Sequence, residues 1–372
     1  MTMRYYSLVR YAIVFSGLLV FVLILLLPKS WAQVGAKVDV DKDRWISIGG
    51  GLRTSFESVE DGAPNKQNRS NTFDFESFRL YINSQVYKGI QFEFNTQGDA
   101  GDNVRVLDAI AKIDFTNSFN IWAGRMTTPT GRSNLSGPYF LNVFDFPFAE
   151  AYPNLIVGRD EGAVFWGVVD KGRLKYQLGL FEGKTGGSNQ GDSLLYSGRL
   201  TYNFWDPEPS IYYNSSTYYG AMDVLAVGLV GMFQEDGAGT SASQGDFLGW
   251  NVDLLMEKKL GNGGVATLEA AYYKYDLEDT SDSALVQGDS YFVTVAYLFS
   301  KKTGWGQFQP FSRLQSFDRA ESNITGSRGT RDRYDVGLNY IISGHNARIS
   351  LFYANEDPGV DIFKIGFQLQ LF

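Results

Sequence analysis

The sequence predicts an all-β fold, a transmembrane antiparallel β-barrel of about sixteen strands with an inward-folded third loop. From Arg44 onward, segments of about 10 residues alternate between apolar and polar side chains and are separated by turn residues. The connections between these segments alternate between short and long. After residue 32, no stretch approaches about 20 consecutive apolar residues, so strands rather than helices are expected to cross the membrane.

The first 32 residues have the pattern of a secretory signal peptide. Arg4 and Arg10 precede an apolar run from Tyr11 to Leu27, and Ser30-Trp31-Ala32 follows with small residues at the cleavage positions. Cleavage is expected after Ala32. The alternative is an uncleaved transmembrane helix, because the apolar run is long for a signal peptide and slightly short for a span.

The remaining chain divides into two parts. Residues 33–43 are expected to form a periplasmic N-terminal linker, and residues 44–372 the transmembrane barrel. Removal of residues 1–32 takes away three basic residues and no acidic one, so the formal charge of −8 becomes about −11. A strongly acidic chain is a poor candidate for nucleic-acid binding. The absence of cysteine excludes disulfides and thiol chemistry.

Alternation with a period of two is plain in several segments. In residues 79–87, for example, Leu80, Ile82 and Val86 occupy one face and polar residues occupy the other. Such a pattern is typical of a strand with one apolar face. Strands are predicted to begin at about positions 44, 73, 89, 104, 119, 161, 173, 193, 221, 246, 264, 288, 305, 330, 346 and 359.

The connections predict which end of the barrel each one occupies, because outer-membrane barrels have short periplasmic turns and long outer loops. Short connections include residues 87–89, 116–118, 170–172, 260–264 and 343–346. Long polar connections cover residues 57–72, 127–160, 182–192, 235–245, 276–287 and 318–329. Trp205–Gly220 breaks the rule, because it is long and falls on the predicted periplasmic side. Either a strand is wrongly assigned there, or the connection is an ordered periplasmic segment.

Residues 127–160 form the longest stretch without alternation, and their many aromatic side chains argue against disorder. We expect this loop to fold into the lumen and narrow it. The alternative is a loop that packs outward or contacts another subunit. The residues predicted near the constriction are Arg125, Arg132, Asp145, Glu150, Arg159, Asp160 and Glu161.

The phase of the alternation predicts charged side chains of both signs along the pore. The basic residues expected to line it are Arg53, Arg79, Lys112, Lys175, Arg199, Arg333, Arg348 and Lys364. The acidic ones are Glu93, Asp108, Asp114, Asp253, Glu269 and Asp335. A mixed lining predicts weak ion selectivity. The alternative for each residue is a pair across neighbouring strands that stabilises the wall.

Little in the sequence supports catalysis or a bound metal. His345 is the only histidine and lies in a predicted tight turn, which argues against a Ser–His hydrolase. One histidine and no cysteine make a zinc site improbable. Asp39–Asp43 starts like a calcium loop, but Arg44 replaces the required glycine and Gly50 the bidentate glutamate. The sequence therefore predicts neither an enzyme nor a cofactor.

Several short motifs resemble those of a known family. They are Phe78-Arg79-Leu80-Tyr81 with Phe92-Glu93-Phe94, Trp122-Ala123-Gly124-Arg125 leading to Pro129, and Gly158-Arg159-Asp160-Glu161-Gly162. On these residues the chain resembles the phosphate-selective porin O and P family of outer-membrane channels over nearly all of its length after the signal peptide. The resemblance implies a sixteen-stranded, trimeric porin with an inward-folded third loop. Phosphate-selective members present a ladder of basic residues, for which the counterparts here, interleaved with acids, are Arg79, Arg199, Arg333 and Arg348.

The function expected from these features is passive diffusion of small polar or ionic solutes through an outer-membrane porin of a Gram-negative bacterium, with anions such as phosphate as candidate solutes. The expected partners are these solutes, outer-membrane lipid and two further copies of the chain in a homotrimer. One alternative is a barrel without transport, such as a sheath around an electron-transfer partner or an adhesin. Others are a barrel lipase and, at the level of the fold, a soluble β-sandwich.

Overall fold

A computed structural model describes residues 36–99, 103–151, 158–280, 285–319, 329–357 and 359–371. The signal peptide predicted over residues 1–32 lies outside these residues, as do residues 152–157 of the predicted constriction loop. The described residues include no helical segment with the length and hydropathy of a membrane span.

The elements are almost all strands. In chain order they are β1 (Ala36–Asp39), β2 (Trp45–Val59), β3 (Ser70–Tyr87), β4 (Ile90–Gly98), β5 (Val104–Thr116), β6 (Phe119–Thr127), α1 (Arg132–Ser136), β7 (Arg159–Val169), β8 (Leu174–Phe181), β9 (Leu195–Asn203), β10 (Val224–Thr240), β11 (Ser243–Lys259), β12 (Val265–Asp276), β13 (Gly288–Leu298), β14 (Gln307–Arg319), β15 (Gly329–Ser343), β16 (Ala347–Asp357) and β17 (Asp361–Leu371).

Sixteen of these strands, β2 to β17, form a closed antiparallel barrel. Each pairs with the next along the chain, and β17 returns to pair with β2 from Ile362↔Val59 to Leu371↔Gly50. The predicted barrel of about sixteen strands is therefore confirmed. Within the segment predicted as a linker, β1 pairs with the start of β2, from Ala36↔Ile48 to Asp39↔Trp45. It occupies the same edge of β2 as β17, beyond the last residue pair of β17.

The outer face of the barrel is apolar and the inner face carries polar side chains, which is the reverse of the arrangement in a soluble protein. On β11, the apolar Leu248 and Trp250 are 46% and 39% exposed, whereas Asn251 and Asp253 are 4% and 1% exposed. The other strands also alternate between exposed apolar and buried side chains, and most of them bury polar ones; on β10 the buried side chains include the apolar Val230 and Met232. We call the buried polar face the inner face. The exposed apolar face is the surface that lipid covers in a transmembrane barrel.

Exposed aromatic side chains of the outer face pair near the ends of the strands. Close to the short turns, the ring centroids of Tyr202 and Phe204 lie 4.9 Å apart, and those of Tyr297 and Phe299 lie 5.2 Å apart. Towards the opposite end, Trp250 and Tyr272 lie 5.6 Å apart. Aromatic residues at both ends are typical of the two interfaces of a membrane barrel.

Long and short connections fall at opposite ends of the barrel, as the sequence predicted, with one correction. Residues 235–245 are not a long loop, because β10 and β11 continue through them to a tight turn between Thr240 and Ser243. A β-bulge between Gln234 and Ala238 takes up the extra residues of β10 and preserves the pairing beyond it. The non-alternating sequence there reflects the bulge.

The exceptional connection at the short-turn end is an ordered segment between β9 and β10. Its strands stay paired up to Asp206 N and the carbonyl oxygen of Asp223, 3.0 Å apart. No strand is therefore wrongly assigned at Trp205–Gly220, and the connection is ordered, but it contacts inner-face side chains such as Gln177 and Glu257 and is not the periplasmic segment that was predicted.

Candidate functional site

Six of the basic residues predicted to line the pore lie on the inner face as expected. Arg53, Arg79, Lys112, Arg199 and Arg348 are each at most 8% exposed. The side chain of Arg333 is 10% exposed.

Three of the six are held in ion pairs. Lys112 of β5 pairs with Glu93 of β4. Arg199 of β9 donates to both carboxylate oxygens of Asp253, at 2.5 and 2.8 Å. Such pairs neutralise charge locally and fix the wall.

Arg333 of β15 is the third residue of the six that is held in ion pairs. Its Nε lies 2.8 Å from Asp335 and its Nη2 lies 3.1 Å from Asp145. Lys364 reaches the same Asp145 carboxylate at 3.0 Å. Asp145 is thus a loop residue bound by two strand cations.

The other three arginines form no ion pair within the described residues. Arg53, Arg79 and Arg348 lie on β2, β3 and β16, around two aromatic rings of the loop between β6 and β7. The Arg53 guanidinium lies 5.9 Å from the Tyr139 ring centroid and 3.9 Å from that of Phe144, and the Arg79 guanidinium lies 5.4 Å from Tyr139. These three arginines therefore form no ion pair of their own among the described residues, although Glu76 and Asp145 lie close enough to Arg53 to offset part of its charge.

Carboxylates without a basic partner lie elsewhere on the inner face. Glu257 of β11 and Glu269 of β12 form no ion pair among the described residues, and neither does Glu150 of the loop. Burial, reinforced by Asp253, raises the pKa of Glu150 to about 8. Glu150 is surrounded by the hydroxyls of Thr130 and Tyr273 and the Asn134 amide.

Residues 128–151, the described part of the connection after β6, contact the inner face of many strands. Backbone carbonyls of this loop accept hydrogen bonds from inner-face side chains. These are Arg348 to Leu141 (2.6 Å), Asn339 to Asn142 (2.9 Å), Arg53 to Phe144 (2.5 Å), Arg313 to Asp145 (2.8 Å) and Ser290 to Ala149 (2.6 Å). Because most of these bonds involve the backbone of the loop, they fix its course without requiring particular loop side chains.

Two inner-face glycines leave room for aromatic rings of the loop. A Cβ at Gly51 would lie 2.7 Å from Cζ of Tyr139, and one at Gly366 would lie 2.6 Å from Cδ2 of Phe144. Contacts that short do not occur between real side chains, so these positions require glycine while the rings are in place.

Arg132 of helix α1 forms a buried ion pair. Its Nη1 and Nη2 donate to Glu208 at 2.6 and 3.1 Å, and its Nε lies 3.5 Å from Asp253. Burial alone would raise the pKa of Glu208, but Arg132 overrides this effect and lowers the pKa to about 2. The pair is therefore ionised.

Glu208 belongs to segment 205–223, the ordered connection between β9 and β10. The backbone of this segment meets the loop where Ser216 N donates to the Phe140 carbonyl (3.1 Å) and the Asn142 amide donates to the Ser216 carbonyl (2.6 Å). Tyr212, fully buried, donates to the Thr127 carbonyl at 2.7 Å. The two connections therefore touch one another, although they leave opposite ends of the barrel.

The remaining predicted constriction residues divide into two groups. Arg159 and Asp160 are buried at the start of β7, where Arg159 lies 3.2 Å from Asp108. Arg125 and Glu161 pair directly across β6 and β7. They share the phase of the exposed Ala123 and Phe165, so they lie on the outer face, apart from the others.

The sequence reasoning did not identify Glu208, Tyr212 or Glu257 as site residues. The one signal that pointed to Glu208 and Tyr212 was the excess length of their connection at the short-turn end of the barrel, and no signal singled out Glu257 on β11.

His345 lies in the turn between β15 and β16, as predicted, and contacts segment 205–223. Its ring lies between those of Phe140 and Tyr219 in tilted contacts, with centroid distances of 4.7 and 4.8 Å. Its Nε2 lies 2.9 Å from the Thr217 carbonyl oxygen and 3.4 Å from Oγ of Ser215. A carbonyl only accepts, so Nε2 carries the proton and cannot serve as a base for Ser215. Among the described residues, no group of three or more acidic or histidine side chains could hold a metal ion.

No protein-family model matches the chain, and no curated protein sequence matches it. Solved structures do. The trimer form of OmpT, an outer-membrane protein of Vibrio cholerae, aligns at a TM-score of 0.57 and 15% identity, covering 88% of this chain and 100% of that one. The anion-selective porin from Comamonas acidovorans aligns at 0.56 and 13%, covering 88% and 99%. OprB of Pseudomonas putida aligns at 0.61 and 10%, covering 88% and 94%.

The fold is that of the outer-membrane porins. The closed barrel and its apolar outer face indicate a protein of the outer membrane of a Gram-negative bacterium, where such barrels are found. The resemblance to the phosphate-selective porin O and P family stays a prediction.

Proposed function

We propose that the protein is a porin-like channel through which small polar or ionic solutes diffuse passively across the outer membrane. The observation that carries the proposal is the closed barrel with an apolar outer face and an inner face rich in charged side chains. A polar interior is what a water-filled path requires, and sixteen strands are wide enough to enclose one. The proposal involves no cofactor and no catalytic step.

We further propose that loop 127–160 is folded into the lumen and forms the constriction. The support is the series of hydrogen bonds from inner-face side chains to the loop carbonyls, together with the fit of Tyr139 and Phe144 against Gly51 and Gly366. Arg132 and Asp145 are the charged residues that this loop contributes, and Glu150, whose pKa is raised to about 8, contributes a mostly neutral carboxyl group.

For selectivity, we propose a weak preference for anions, with phosphate among the candidate solutes. The unpaired Arg53, Arg79 and Arg348 on one part of the wall favour anions. Unpaired Glu257 and Glu269 on another part limit that preference, because they attract cations. The separation of the two groups argues for weak rather than strict selection.

Planar-bilayer recording of the purified protein tests the channel. We expect stepwise conductance, and in a potassium chloride gradient a reversal potential of the sign for anions. The double variant Arg53→Gln, Arg348→Gln is expected to shift that potential towards cations. Lys274→Gln is the matched control, because Lys274 lies exposed on the outer face. Equal shifts in both variants would contradict the assignment of the arginines.

We also propose that three copies assemble, which the trimer form of the Vibrio cholerae structure supports by analogy of fold. Chemical cross-linking in native outer-membrane lipid is expected to give dimer and trimer bands and no larger species. A single monomer band under the same conditions would contradict the trimer.

A barrel without transport, in a structural or interaction role, is the second candidate. The observation that favours it is the deep burial of inner-face charges such as Arg199, Arg348 and Asp335, at most 1% exposed. Folded protein that gives no conductance in bilayers, with or without segment 205–223, would support this candidate over the channel. A barrel hydrolase finds no support in the Ser215–His345 contact, for the reason given above.

A further inference from the structure

Segment 205–223 reaches the interior from the end of the barrel opposite to loop 128–151. It leaves β9 after Asn203 and enters β10 at Val224, at the short-turn end. Other connections at that end are brief, such as residues 88–89 between β3 and β4. The hairpin is already closed at Asp206 and Asp223, so the residues between them are not needed to join the strands.

Inner-face side chains of well-separated strands hold this segment. On one side, Lys175 Nζ of β8 lies 3.1 Å from the carbonyls of Ile211 and Tyr213, and Gln177 donates to the Tyr212 carbonyl at 2.9 Å. The rings of Trp122 and Tyr212 lie 5.0 Å apart.

On the other side, the Glu257 carboxylate of β11 receives several donors of the segment. They are the Thr217 hydroxyl at 2.6 Å and the backbone amides of Tyr218 and Gly220, at 3.0 and 2.7 Å. Glu269 of β12 accepts from the Ser216 hydroxyl at 2.6 Å. Glu257 and Glu269 are thus bonded to this segment, whereas Arg53 and Arg348 are bonded to the loop.

Where the segment and the loop meet, the contacts are polar and buried. The Arg132 and Glu208 side chains are 1% and 2% exposed, and Ser216 and Thr217 are fully buried. The two serine hydroxyls of Ser136 and Ser216 lie 3.3 Å apart. Water can replace hydrogen bonds of this kind when two surfaces separate, which it cannot do for an apolar core without loss.

We propose that segment 205–223 is the second wall of the constriction, and that the solute path passes beside the contact between it and loop 128–151, so that the segment sets the size of the solutes that pass. This inference rests on the proposed channel function. It assigns Arg132 and Glu208 as the charged pair that holds the two walls together beside the path.

Excision of the segment tests the inference. Residues 207–222 are replaced by Asn-Gly, which suits a tight hairpin between Asp206 and Asp223. In planar bilayers we expect the single-channel conductance to rise several-fold, and in liposome-swelling assays we expect larger sugars to enter.

The matched control shortens another turn at the same end. Residues 300–307 are replaced by Asn-Gly between Phe299 and Phe308, whose backbones are hydrogen-bonded at 2.9 Å. Trp305 in this turn is 82% exposed, so the turn does not fill the barrel. Conductance and sugar size limit are expected to stay those of the intact protein.

A cross-link provides a second test without excision. Because the chain contains no cysteine, the double variant Ser136→Cys, Ser216→Cys has one thiol pair, whose parent oxygens lie 3.3 Å apart. Oxidation is expected to fix the segment to the loop and reduce conductance, and a reductant is expected to restore it. Each single-cysteine variant should be insensitive to both reagents.

The outcomes separate this inference from the channel itself. Conductance that is larger after excision and lower after oxidation supports both. If the intact protein conducts, and excision and oxidation both leave conductance and size limit unchanged, segment 205–223 is not a wall of the path. If neither intact nor excised protein conducts while both fold, the channel proposal fails.

Discussion

The guanidinium of Arg132 and the carboxylate of Glu208 meet inside the barrel, joined by hydrogen bonds of 2.6 and 3.1 Å although 76 residues separate them in the chain. Both side chains are almost completely shielded from water. A buried ion pair is stable when both charges are present. If one residue is replaced, the remaining charge has neither water nor an opposite charge to stabilise it.

Glu208→Leu is therefore expected to destabilise the folded protein by about 3 kcal/mol. Asp253, 3.5 Å from Arg132, compensates part of the lost charge and keeps the effect at the lower end of the range for buried pairs. Urea unfolding in lipid vesicles, followed by tryptophan fluorescence, measures the change. Lys258→Met breaks the exposed pair with Asp223 and is the control, with little expected change. Equal effects of the two variants would mean that the Arg132–Glu208 pair is open to water.

Gly51→Ala is expected to destabilise the fold by about 1 to 3 kcal/mol, because the new methyl group would overlap the ring of Tyr139. The backbone of Gly51 does not have a positive φ, so the effect would come from the ring alone. The unfolding temperature, read from the shift in gel migration after heating samples to increasing temperatures, provides the measurement. Gly231→Ala on β10, where a Cβ meets open space, should unfold like the wild type. If both alanines are neutral, Tyr139 is not held against β2.

His345 predicts a pH dependence of stability. Burial lowers its pKa to about 4, and the nearby Arg348 adds to the effect. An unfolded histidine titrates near pH 6.5, so the unfolded chain binds a proton first as the pH falls. The contribution of neutral His345 is thus complete above about pH 6.5 and is lost between about pH 6.5 and 4.

His345→Gln keeps a donor for the Thr217 carbonyl but removes the titration. Across this pH window we expect the wild type to lose about 3 kcal/mol of unfolding free energy relative to the variant. Urea unfolding at half-unit pH steps checks this, and since the chain has a single histidine, its imidazole resonance can be followed directly by NMR. A difference between the two proteins that stays constant with pH would contradict the prediction.

Leu229→Arg tests the outer face. Leu229 is 51% exposed in the middle of β10, and an arginine facing the centre of the bilayer costs about 2 to 4 kcal/mol. Thr240→Arg, exposed at the end of the same strand, should cost much less because it lies near the interface. Unfolding in vesicles compares the two. Similar losses would show that the centre of β10 does not face lipid.

The barrel could be predicted from the sequence because a strand with one face in lipid and one in a polar interior carries a period of two. That period assigned Arg53, Arg199 and Arg348 to the inner face. The same rule, applied strictly, also puts Arg125 with Ala123 on the outer face. Our prediction of Arg125 and Glu161 near the constriction departs from that rule, and the structure pairs the two with one another across β6 and β7.

The course of segment 205–223 could not be predicted from alternation, because its burial depends on contacts with distant strands. Glu257 and Lys175 hold it from β11 and β8, and neither residue differs in pattern from its neighbours. Likewise, the bulge between Gln234 and Ala238 breaks the period locally and made a continuous strand pair look like a loop. Local periodicity reports which face a residue occupies and carries no information on what fills the space beyond that face.

The hydrogen bonds that reach the two connections have a mechanical consequence for the whole cylinder. Loop 128–151 is bonded to β2, β14 and β16, and segment 205–223 to β8 and β11, while Arg132 and Glu208 tie the two together. A barrel with an empty interior can flatten under lateral pressure from the bilayer, because its hydrogen bonds join only neighbouring strands of the wall. Here the loop and the segment also link strands that are not neighbours. The cross-section is therefore expected to stay round as lipid thickness and tension vary.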